Sequence, residues 1–307
     1  MPAAPADVLT AGGDQLGECP VWDERAGVLY RVDAVAGAVL ALDPGTGAER
    51  RIELGRHLGS VVLRTDGDGL LVAAHGGFGA LDVRTGRYDV LAPVAAGDST
   101  TLMNDGACDP AGRFLAGTMS RRAEPGRGGL YRYEPPGTAV PVLTGVGVSN
   151  GLGWDSTGSV LFFVDTLLRR VDRFAYDVST AAVTARRPAF DLSGYPGLPD
   201  GLAIDAEDCL WVAFWRGGAV RRFTPDGRLL EEIAVPVVRT TSCCLGGSDL
   251  RDLYVTTARR SIREAPADVE ALAGAVFRYR VAVPGVPASR WRPQPAMPAP
   301  SGTATAE

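Results

Sequence analysis

The chain of 307 residues contains no lysine, because all 31 of its basic residues are arginine. Catalysis through a lysine Schiff base is therefore excluded. The net charge is −5, and the arginines form no concentrated basic stripe along the sequence. Since nucleic acids and anionic membranes are bound through clustered positive charge, we expect neither of them as a partner.

Histidine and cysteine are also scarce. There are two histidines, and the five cysteines include no CxxC pair, so a zinc site built from nitrogen and sulfur ligands is not favoured. An odd number of irregularly spaced cysteines argues against a disulfide framework. The chain has no apolar run of about 18 residues to span a bilayer. Its start, MPAAPADVLTAGG, lacks the basic and apolar regions of a signal peptide. We expect a cytoplasmic protein.

What the chain does contain is a repeat. Six aspartates, each followed by a short apolar run such as VLYRV (28–32) or LYVTT (253–257), recur at intervals of 43, 43, 46, 50 and 44 residues. They are Asp23, Asp66, Asp109, Asp155, Asp205 and Asp249. A period in the forties with several short strands per unit is typical of propeller blades, and turn residues recur between the runs. The sequence predicts an all-β fold, a six-bladed β-propeller with a central metal site, with a β-sandwich as the alternative.

One position of the repeat carries oxygen-bearing side chains. Five residues before the aspartates stand, in order, Glu18, Val61, Asn104, Asn150, Asp200 and Cys244. Repeats that stack around an axis bring equivalent positions together, so the four oxygen-bearing residues are predicted to meet at the centre. Taken singly, the Asn-Asp-Gly, Asn-Gly and Asp-Gly segments are also ordinary turn sequences. Their recurrence at one repeat position favours a metal site.

Oxygen-only ligation suits hard divalent cations. Glu18, Asn150 and Asp200 supply two carboxylates and one amide oxygen, with Asn104 as a fourth oxygen nearby. Two negative charges balance one divalent ion. We expect one such cation per chain, Ca²⁺ in the first place, with Mg²⁺, Mn²⁺ or Zn²⁺ as alternatives. Asp200 is also predicted to be the general base, because it would adjoin the water that the ion activates.

The same segments resemble a known family. The motifs are LGECPVWD (16–23), NDGACDPAGRFLAGTM (104–119), SNGLGWDSTGSVLFFVDT (149–166), PDGLAIDAEDCLWVA (199–213) and TSCCLGGSDLRDLYVTTA (241–258). Their order and spacing, from about residue 14 to residue 282, are similar to those of the SMP-30/gluconolactonase/luciferin-regenerating-enzyme family. The resemblance implies a six-bladed propeller that holds one divalent ion through Glu18, Asn150 and Asp200. It also implies that Asn104 contacts the substrate or a water on the ion.

The resulting hypothesis is a metal-dependent lactonase, a carboxylic-ester hydrolase that opens a lactone with activated water. Two other hypotheses stay open. The same centre could serve a cyclase, an isomerase or a phosphoester hydrolase, or the chain could be a calcium-binding regulatory propeller without enzymatic activity.

Two positions depart from the family pattern. Leu102 stands where sugar lactonases often carry an arginine that holds sugar hydroxyls, and residues 120–122 replace a common glutamate after GTM. We therefore predict a substrate less polar than a sugar lactone. Strands that return to the metal end bring further side chains there. The residues predicted to bind substrate are Leu102, Asn104, His75, Met119, Arg122 and Trp215.

The predicted domain organisation is simple. Residues 1–13 are read as an N-terminal extension, residues 14–283 as a single propeller domain, and residues 284–307 as a Pro- and Ala-rich tail that is mostly disordered. The expected partner is a small-molecule substrate, and the expected assembly is a monomer or a weak homo-oligomer.

Overall fold

The computed structural model describes residues 6–67, 69–259 and 271–293. Its strands form six antiparallel sheets of four strands each, which are the blades of a β-propeller. The prediction of an all-β, six-bladed propeller is confirmed. The described helical structure is one 3₁₀ turn, Thr166–Leu168, and no helix in the described ranges is long and apolar enough to cross a membrane.

Five blades are built from four consecutive strands each, numbered from the ring axis outward. Blade 1 contains β2 (Gly17–Asp23), β3 (Val28–Asp33), β4 (Ala38–Leu42) and β5 (Glu49–Glu53). Blade 2 contains β6 (Leu58–Leu63), β7 (Leu70–Ala74), β8 (Gly77–Leu81) and β9 (Tyr88–Pro93). Blade 3 contains β10 (Thr101–Cys108), β11 (Phe114–Ser120), β12 (Gly128–Glu134) and β13 (Thr138–Val146).

The remaining blades follow the same plan, except that the last one uses both ends of the domain. Blade 4 contains β14 (Ser149–Trp154), β15 (Val160–Asp165), β16 (Arg170–Asp177) and β17 (Ala182–Asp191). Blade 5 contains β18 (Leu198–Ile204), β19 (Leu210–Trp215), β20 (Ala219–Phe223) and β21 (Leu229–Ala234). Blade 6 contains β22 (Thr240–Gly246), β23 (Asp252–Thr257), β24 (Phe277–Arg280) and β1 (Asp7–Val8).

The core lies between neighbouring blades. The second strand of a blade is covered on both faces, which is why β7 (LLVAA) is apolar and buried along its whole length. Between blades 5 and 6, Trp211 and Val220 belong to the same buried cluster as Leu253 and Phe277. The outermost strands, such as β17, are mostly exposed. The blades are therefore held together chiefly by apolar contact across their faces.

The repeating aspartates lie at the turn between the first and second strands. Their carboxylates accept hydrogen bonds from backbone N–H groups across the turn. Examples are Asp109 Oδ1 with Arg113 N (2.7 Å), Asp155 Oδ1 with Val160 N (2.7 Å) and Asp205 Oδ1 with Cys209 N (3.1 Å). We call this side of the ring the lower end, and the opposite side, where the inner strands begin, the upper end.

The inner strand of each blade has a β-bulge near the upper end. In blades 3, 4 and 5 the pairing register shifts between Met103 and Gly106, between Ser149 and Leu152, and between Pro199 and Leu202. Asn104, Asn150 and Asp200 are therefore the first residues inside three equivalent bulges. A bulge re-aims its side chains relative to a regular strand, and such irregularities are common beside active sites.

The bulge is displaced in the other blades. In blade 1 it follows Glu18, and in blades 2 and 6 it centres on Gly59 and Thr241. The residues five positions before the aspartates in blades 2 and 6 are Val61 and Cys244. Neither of them lies at the bulge of its blade. The reason is that the number of residues between bulge and turn differs from blade to blade.

Both ends of the described chain differ from the predicted domain limits. Within the predicted N-terminal extension, Asp7 and Val8 pair with Arg278 and Phe277 of β24, so they complete the sixth blade. The sixth sheet is thereby built from strands at both ends of the sequence. Such pairing closes the ring and leaves the last blade with the same four strands as the others.

Residues 284–292, predicted to lie in a disordered tail, form what we call the C-terminal strap. It crosses the lower end of the ring in a series of hydrogen bonds. Gly285 N donates to Leu250 O of blade 6 (2.7 Å), Trp291 N to Leu63 O of blade 2 (2.8 Å), and Arg292 N to Gly112 O of blade 3 (2.9 Å). Residues 294–307 of that tail lie outside the described part of the chain.

Candidate metal centre

Four oxygen-bearing side chains from four blades lie at the upper end of the inner strands. They are Glu18 of β2, Asn104 of β10, Asn150 of β14 and Asp200 of β18. Asn150 is 4% and Asp200 6% exposed, and Glu18 and Asn104 are half-buried. Glu18 and Asp200 are close enough for the charge of one to act on the pKa of the other. The structure thus places Asp200 close to both Glu18 and Asn150, and it ties Asn104 to the residue before Asn150.

The nitrogen of each of the two amides has an acceptor in a neighbouring segment. Asn104 Nδ2 donates to the Ser149 carbonyl (2.8 Å), and Asn150 Nδ2 donates to Thr166 Oγ1 (3.0 Å). Asn150 Oδ1 is buried and has no hydrogen-bond partner among the residues that the structure describes. An unpaired buried acceptor is unfavourable unless something binds it. This oxygen is therefore available to a ligand.

The carboxylates of the centre repel one another. Burial raises the pKa of Glu18 well above its ordinary value, and the charges of Asp200 and Asp105 raise it further. Burial and the Asp105 charge likewise raise the pKa of Asp200, although a hydrogen bond from Asn150 opposes the shift. Among the described residues, neither Glu18 nor Asp200 forms an ion pair with a basic side chain. A bound cation would supply the missing positive charge.

The donor set fits a hard cation. Within the described ranges there is no group of three or more His, Cys, Asp or Glu side chains that could hold a metal, which argues against a site made of these residue types alone. The candidate set instead combines the Glu18 and Asp200 carboxylates with the unpaired amide oxygen of Asn150. Such mixed carboxylate and amide oxygen ligation suits Ca²⁺.

The residues predicted to bind substrate also belong to the upper end. Leu102 is 6% exposed and pairs across strands with Met119, and Met119 also forms a bridge with Val148. His75 follows β7, and its Nδ1 lies 3.2 Å from the Thr101 carbonyl. The His75 ring is therefore anchored by the backbone of the strand that carries Asn104.

Two further predicted residues lie on other sides of this end. Arg122 is exposed in the turn after β11. Trp215 pairs with Leu198, two residues before Asp200, and the Arg239 guanidinium lies 5.6 Å from the centroid of the Trp215 ring. Phe214, which precedes Trp215 in β19, is fully buried and packs against Tyr195 and Phe223. Phe214 therefore belongs to the core.

Sequence reasoning missed Asp105, which it treated as part of a turn sequence. Asp105 is inside the bulge of blade 3 and 9% exposed. Burial raises its pKa to about 6, against opposing hydrogen bonds from Gly106 N and the Cys19 thiol. The sequence did contain a signal for Asp105, because it directly follows Asn104, and Asn104 occupies the repeat position that carries oxygen-bearing side chains. Asp105 is thus a buried carboxylate close enough to the predicted ligands Glu18 and Asp200 to act on their pKa values.

Asp105 also lines a cavity of about 440 Å³ on the ring axis. The cavity occupies the lower half of the channel, and its walls include Val61, Cys244 and residues 286–289 of the C-terminal strap. Glu18, Asn104, Asn150 and Asp200 are not among its lining residues. Val61 and Cys244 therefore face the axis in the layer below the oxygen side chains.

The fold and the layer of acceptor oxygens define the class: a six-bladed β-propeller with an axial centre suited to a cation. The chain belongs to the SMP-30/Gluconolactonase/LRE-like family, whose model matches residues 16–259. The family resemblance expected from the motifs is confirmed.

Two relatives and two solved structures illustrate the similarity. Regucalcin of Xenopus laevis is 38% identical over 250 residues, covering 80% of this chain and 83% of the relative. Pentonolactonase XacC of Haloferax volcanii is 38% identical over 280 residues, covering 90% and 94%. The structure of a calcium-binding protein, regucalcin, from Agrobacterium tumefaciens has a TM-score of 0.89 at 27% identity and covers 94% and 98%. A luciferin-regenerating enzyme has a TM-score of 0.85 at 26% identity and covers 92% and 96%.

Proposed function

We propose that this protein is a divalent-metal-dependent lactonase that binds one cation, Ca²⁺ in the first place, through Glu18, Asn150 and Asp200. The observation that carries the proposal is the buried Asn150 Oδ1, which has no partner among the described residues, beside the carboxylates of Glu18 and Asp200, which form no ion pair with a described basic side chain. The similarity to a pentonolactonase over 90% of the chain supports the reaction class. The calcium-binding relative supports the choice of ion.

The reaction would add water to the lactone carbonyl carbon and break the ring C–O bond, giving a hydroxy acid that releases one proton at neutral pH. When bound, the ion supplies Lewis acidity and makes water more acidic. Asp200 would accept the proton of the attacking water, and no described arginine pairs with its carboxylate and competes for that role. Asn104, whose Nδ2 is held by Ser149 O, would direct its oxygen toward substrate or water.

The proposed substrate is less polar than a sugar lactone. Leu102 is buried against the second strand of blade 3, where a family pattern often provides an arginine. An apolar side chain cannot replace the water that a sugar hydroxyl gives up on binding. The neighbouring Met119 extends the same apolar surface. A small lactone with an aliphatic or aromatic substituent would match this wall better than a polyol.

The proposal is tested by measuring acid release from a panel of lactones with a pH indicator, in the presence of Ca²⁺ and in excess chelator. We expect turnover that requires the cation. Asp200→Ala should lose both activity and stoichiometric metal, as determined by elemental analysis. Asp249→Ala is the matched control, because Asp249 is at the lower end and pairs with Arg280 Nη1 (2.8 Å). Full activity in chelator, or stoichiometric metal in the Asp200 variant, would contradict the proposal.

A calcium-binding propeller without enzymatic activity is the second candidate, favoured by the calcium-binding description of the Agrobacterium relative. It predicts the same metal loss in Asp200→Ala but no lactone turnover by the wild type. The acid-release panel separates the two functions. A small-molecule substrate, a monomeric or weakly associated state and a cytoplasmic location stay predictions.

A further inference from the structure

We infer that Thr166 is a positioning residue that fixes the Asn150 amide so that its oxygen, and not its nitrogen, faces the proposed cation. This inference rests on the metal site of the proposed function and adds a residue that does not itself touch the ion. Its basis is a short chain of hydrogen bonds that runs from blade 4 to blade 5.

The hydroxyl of Thr166 has a single hydrogen, and the structure uses it. Thr166 Oγ1 donates to the Pro199 carbonyl, 2.9 Å away. The hydroxyl can then only accept from Asn150, whose Nδ2 lies 3.0 Å from the same oxygen. A carbonyl has no proton to give, so Pro199 fixes the direction of the whole chain of hydrogen bonds.

This direction decides which end of the amide faces the axis. The oxygen and nitrogen of an asparagine side chain are nearly the same size, and rotation by half a turn exchanges them. In the reversed orientation, Asn150 Oδ1 would face the lone pairs of the Thr166 hydroxyl, and the NH₂ group would face the proposed cation. Both contacts are repulsive. The observed orientation instead leaves Oδ1 buried and unpaired.

The backbone that carries Thr166 is itself held in place. Thr166 begins the 3₁₀ turn after β15, and its N–H donates to Val148 O (3.2 Å). The preceding Asp165 accepts from Gly147 N (2.9 Å) and Val148 N (3.1 Å), at the entry to the strand that carries Asn150. The two ends of the Thr166–Asn150 hydrogen bond are thus anchored to the same short segment of blade 4.

The other end of this series of hydrogen bonds lies next to Asp200, another predicted ligand of the cation. Pro199 directly precedes Asp200 in β18, and proline has no N–H of its own to offer. The Thr166 hydroxyl therefore links the backbone at Asp200 to the side chain of Asn150. Loss of the hydroxyl would release the amide from its fixed orientation without removing any ligand atom.

The test is the Ca²⁺ dissociation constant of metal-depleted protein, measured by calorimetry on the full chain. Thr166→Val removes the hydroxyl at nearly constant shape and should weaken Ca²⁺ binding about 10-fold or more, the usual effect of losing a partner that orients a metal ligand. Thr166→Ser keeps the hydroxyl and should bind within about threefold of wild type. Thr166→Ala repeats the test if the valine variant does not fold.

Thr118→Val is the matched control. The Thr118 hydroxyl is also buried, accepts from Gly129 N (2.9 Å) and donates to Gly129 O (3.4 Å), all within blade 3. If Thr166 acts only on stability, the two valine variants should lower the melting temperature of the metal-free protein by similar amounts. Neither variant should then change the Ca²⁺ dissociation constant.

The possible outcomes separate the two proposals. Weaker Ca²⁺ binding in Thr166→Val, with recovery in Thr166→Ser and no change in Thr118→Val, supports the positioning role. An unchanged dissociation constant in Thr166→Val, while the wild type binds Ca²⁺, overturns the positioning role alone. A wild type that binds none of Ca²⁺, Mg²⁺ and Mn²⁺ overturns the proposed metal site and this inference with it.

Discussion

Replacement of the buried carboxylate Asp105 by asparagine should make the metal-free protein more stable, by an amount that depends on pH. Burial raises the pKa of Asp105 from 3.8 to about 6 in the folded protein. The acid is therefore protonated more readily in the folded than in the unfolded chain, so folding disfavours its ionised form. A difference of about two pKa units corresponds to about 3 kcal/mol of folding free energy.

The pH window follows from these two values. Well below pH 3.8 the carboxyl is neutral in both the folded and the unfolded chain, so its raised pKa does not lower the stability of the wild type. Between pH 4 and pH 6 the unfolded chain ionises first, and the wild type loses stability that Asp105→Asn retains. Above the folded pKa of about 6, the full difference in folding free energy between the wild type and Asp105→Asn is present. For a chain of 307 residues, with an unfolding entropy of about 0.6 kcal/mol per kelvin, it corresponds to about 5 °C in melting temperature.

The assay is thermal unfolding of both proteins in excess chelator at pH 5, 6, 7 and 8. The diagnostic quantity is the change in their difference with pH, because the lost hydrogen bonds to Gly106 and Cys19 add a roughly constant term. Asp98→Asn is a control, since hydrogen bonds from Thr100 and Thr101 lower the pKa of exposed Asp98 to about 2. Its difference from wild type should stay flat over this range. A pH-independent difference for Asp105→Asn would refute the reasoning.

Three further predictions concern specificity and packing. Leu102→Arg should raise kcat/KM for gluconolactone relative to a hydrophobic lactone, because it restores a donor for sugar hydroxyls; an unchanged ratio would argue against the role of Leu102. Trp291→Ala should lower the free energy of unfolding in urea by about 3 kcal/mol, since the ring is 7% exposed beside Tyr133. Gly59→Ala should reduce the melting temperature and the Ca²⁺ affinity, because the added Cβ would meet Asn104 O at 2.3 Å. Wild-type values for Gly59→Ala would show that the blades can move apart freely.

The features that sequence predicted are those that every blade needs. Each turn between the first and second strands requires an acceptor for free backbone N–H groups, so an aspartate recurs there, as Asp155 and Asp205 illustrate. The second strand of each blade also returns the chain to the upper end, as the pairing of Ser149 with Asp165 shows. These demands are local and repeated, and they leave a periodic trace in the sequence.

The features that sequence did not predict depend on single residues or on contacts distant along the chain. The position of a bulge is defined by the pairing with the neighbouring strand, so a residue count along the sequence did not locate the displaced bulges at Gly59 and Thr241. Proline- and alanine-rich composition indicated disorder for most of the tail. The signal against it was the single tryptophan of that segment, Trp291, which packs on Tyr133 and under the Arg64 guanidinium.

The C-terminal strap changes how such a ring should come apart. In a propeller each blade touches only its two neighbours, so repeated units can separate step by step from their weakest boundary. Here residues 284–292 connect blades 5 and 6 with blades 2 and 3, across the ring and beside blade 1. The strap therefore spans the boundaries between blades 5 and 6, 6 and 1, 1 and 2, and 2 and 3, so parting one of these leaves the blades on either side connected. Amide protons of non-adjacent blades should then exchange with solvent together, in one cooperative opening of the whole molecule.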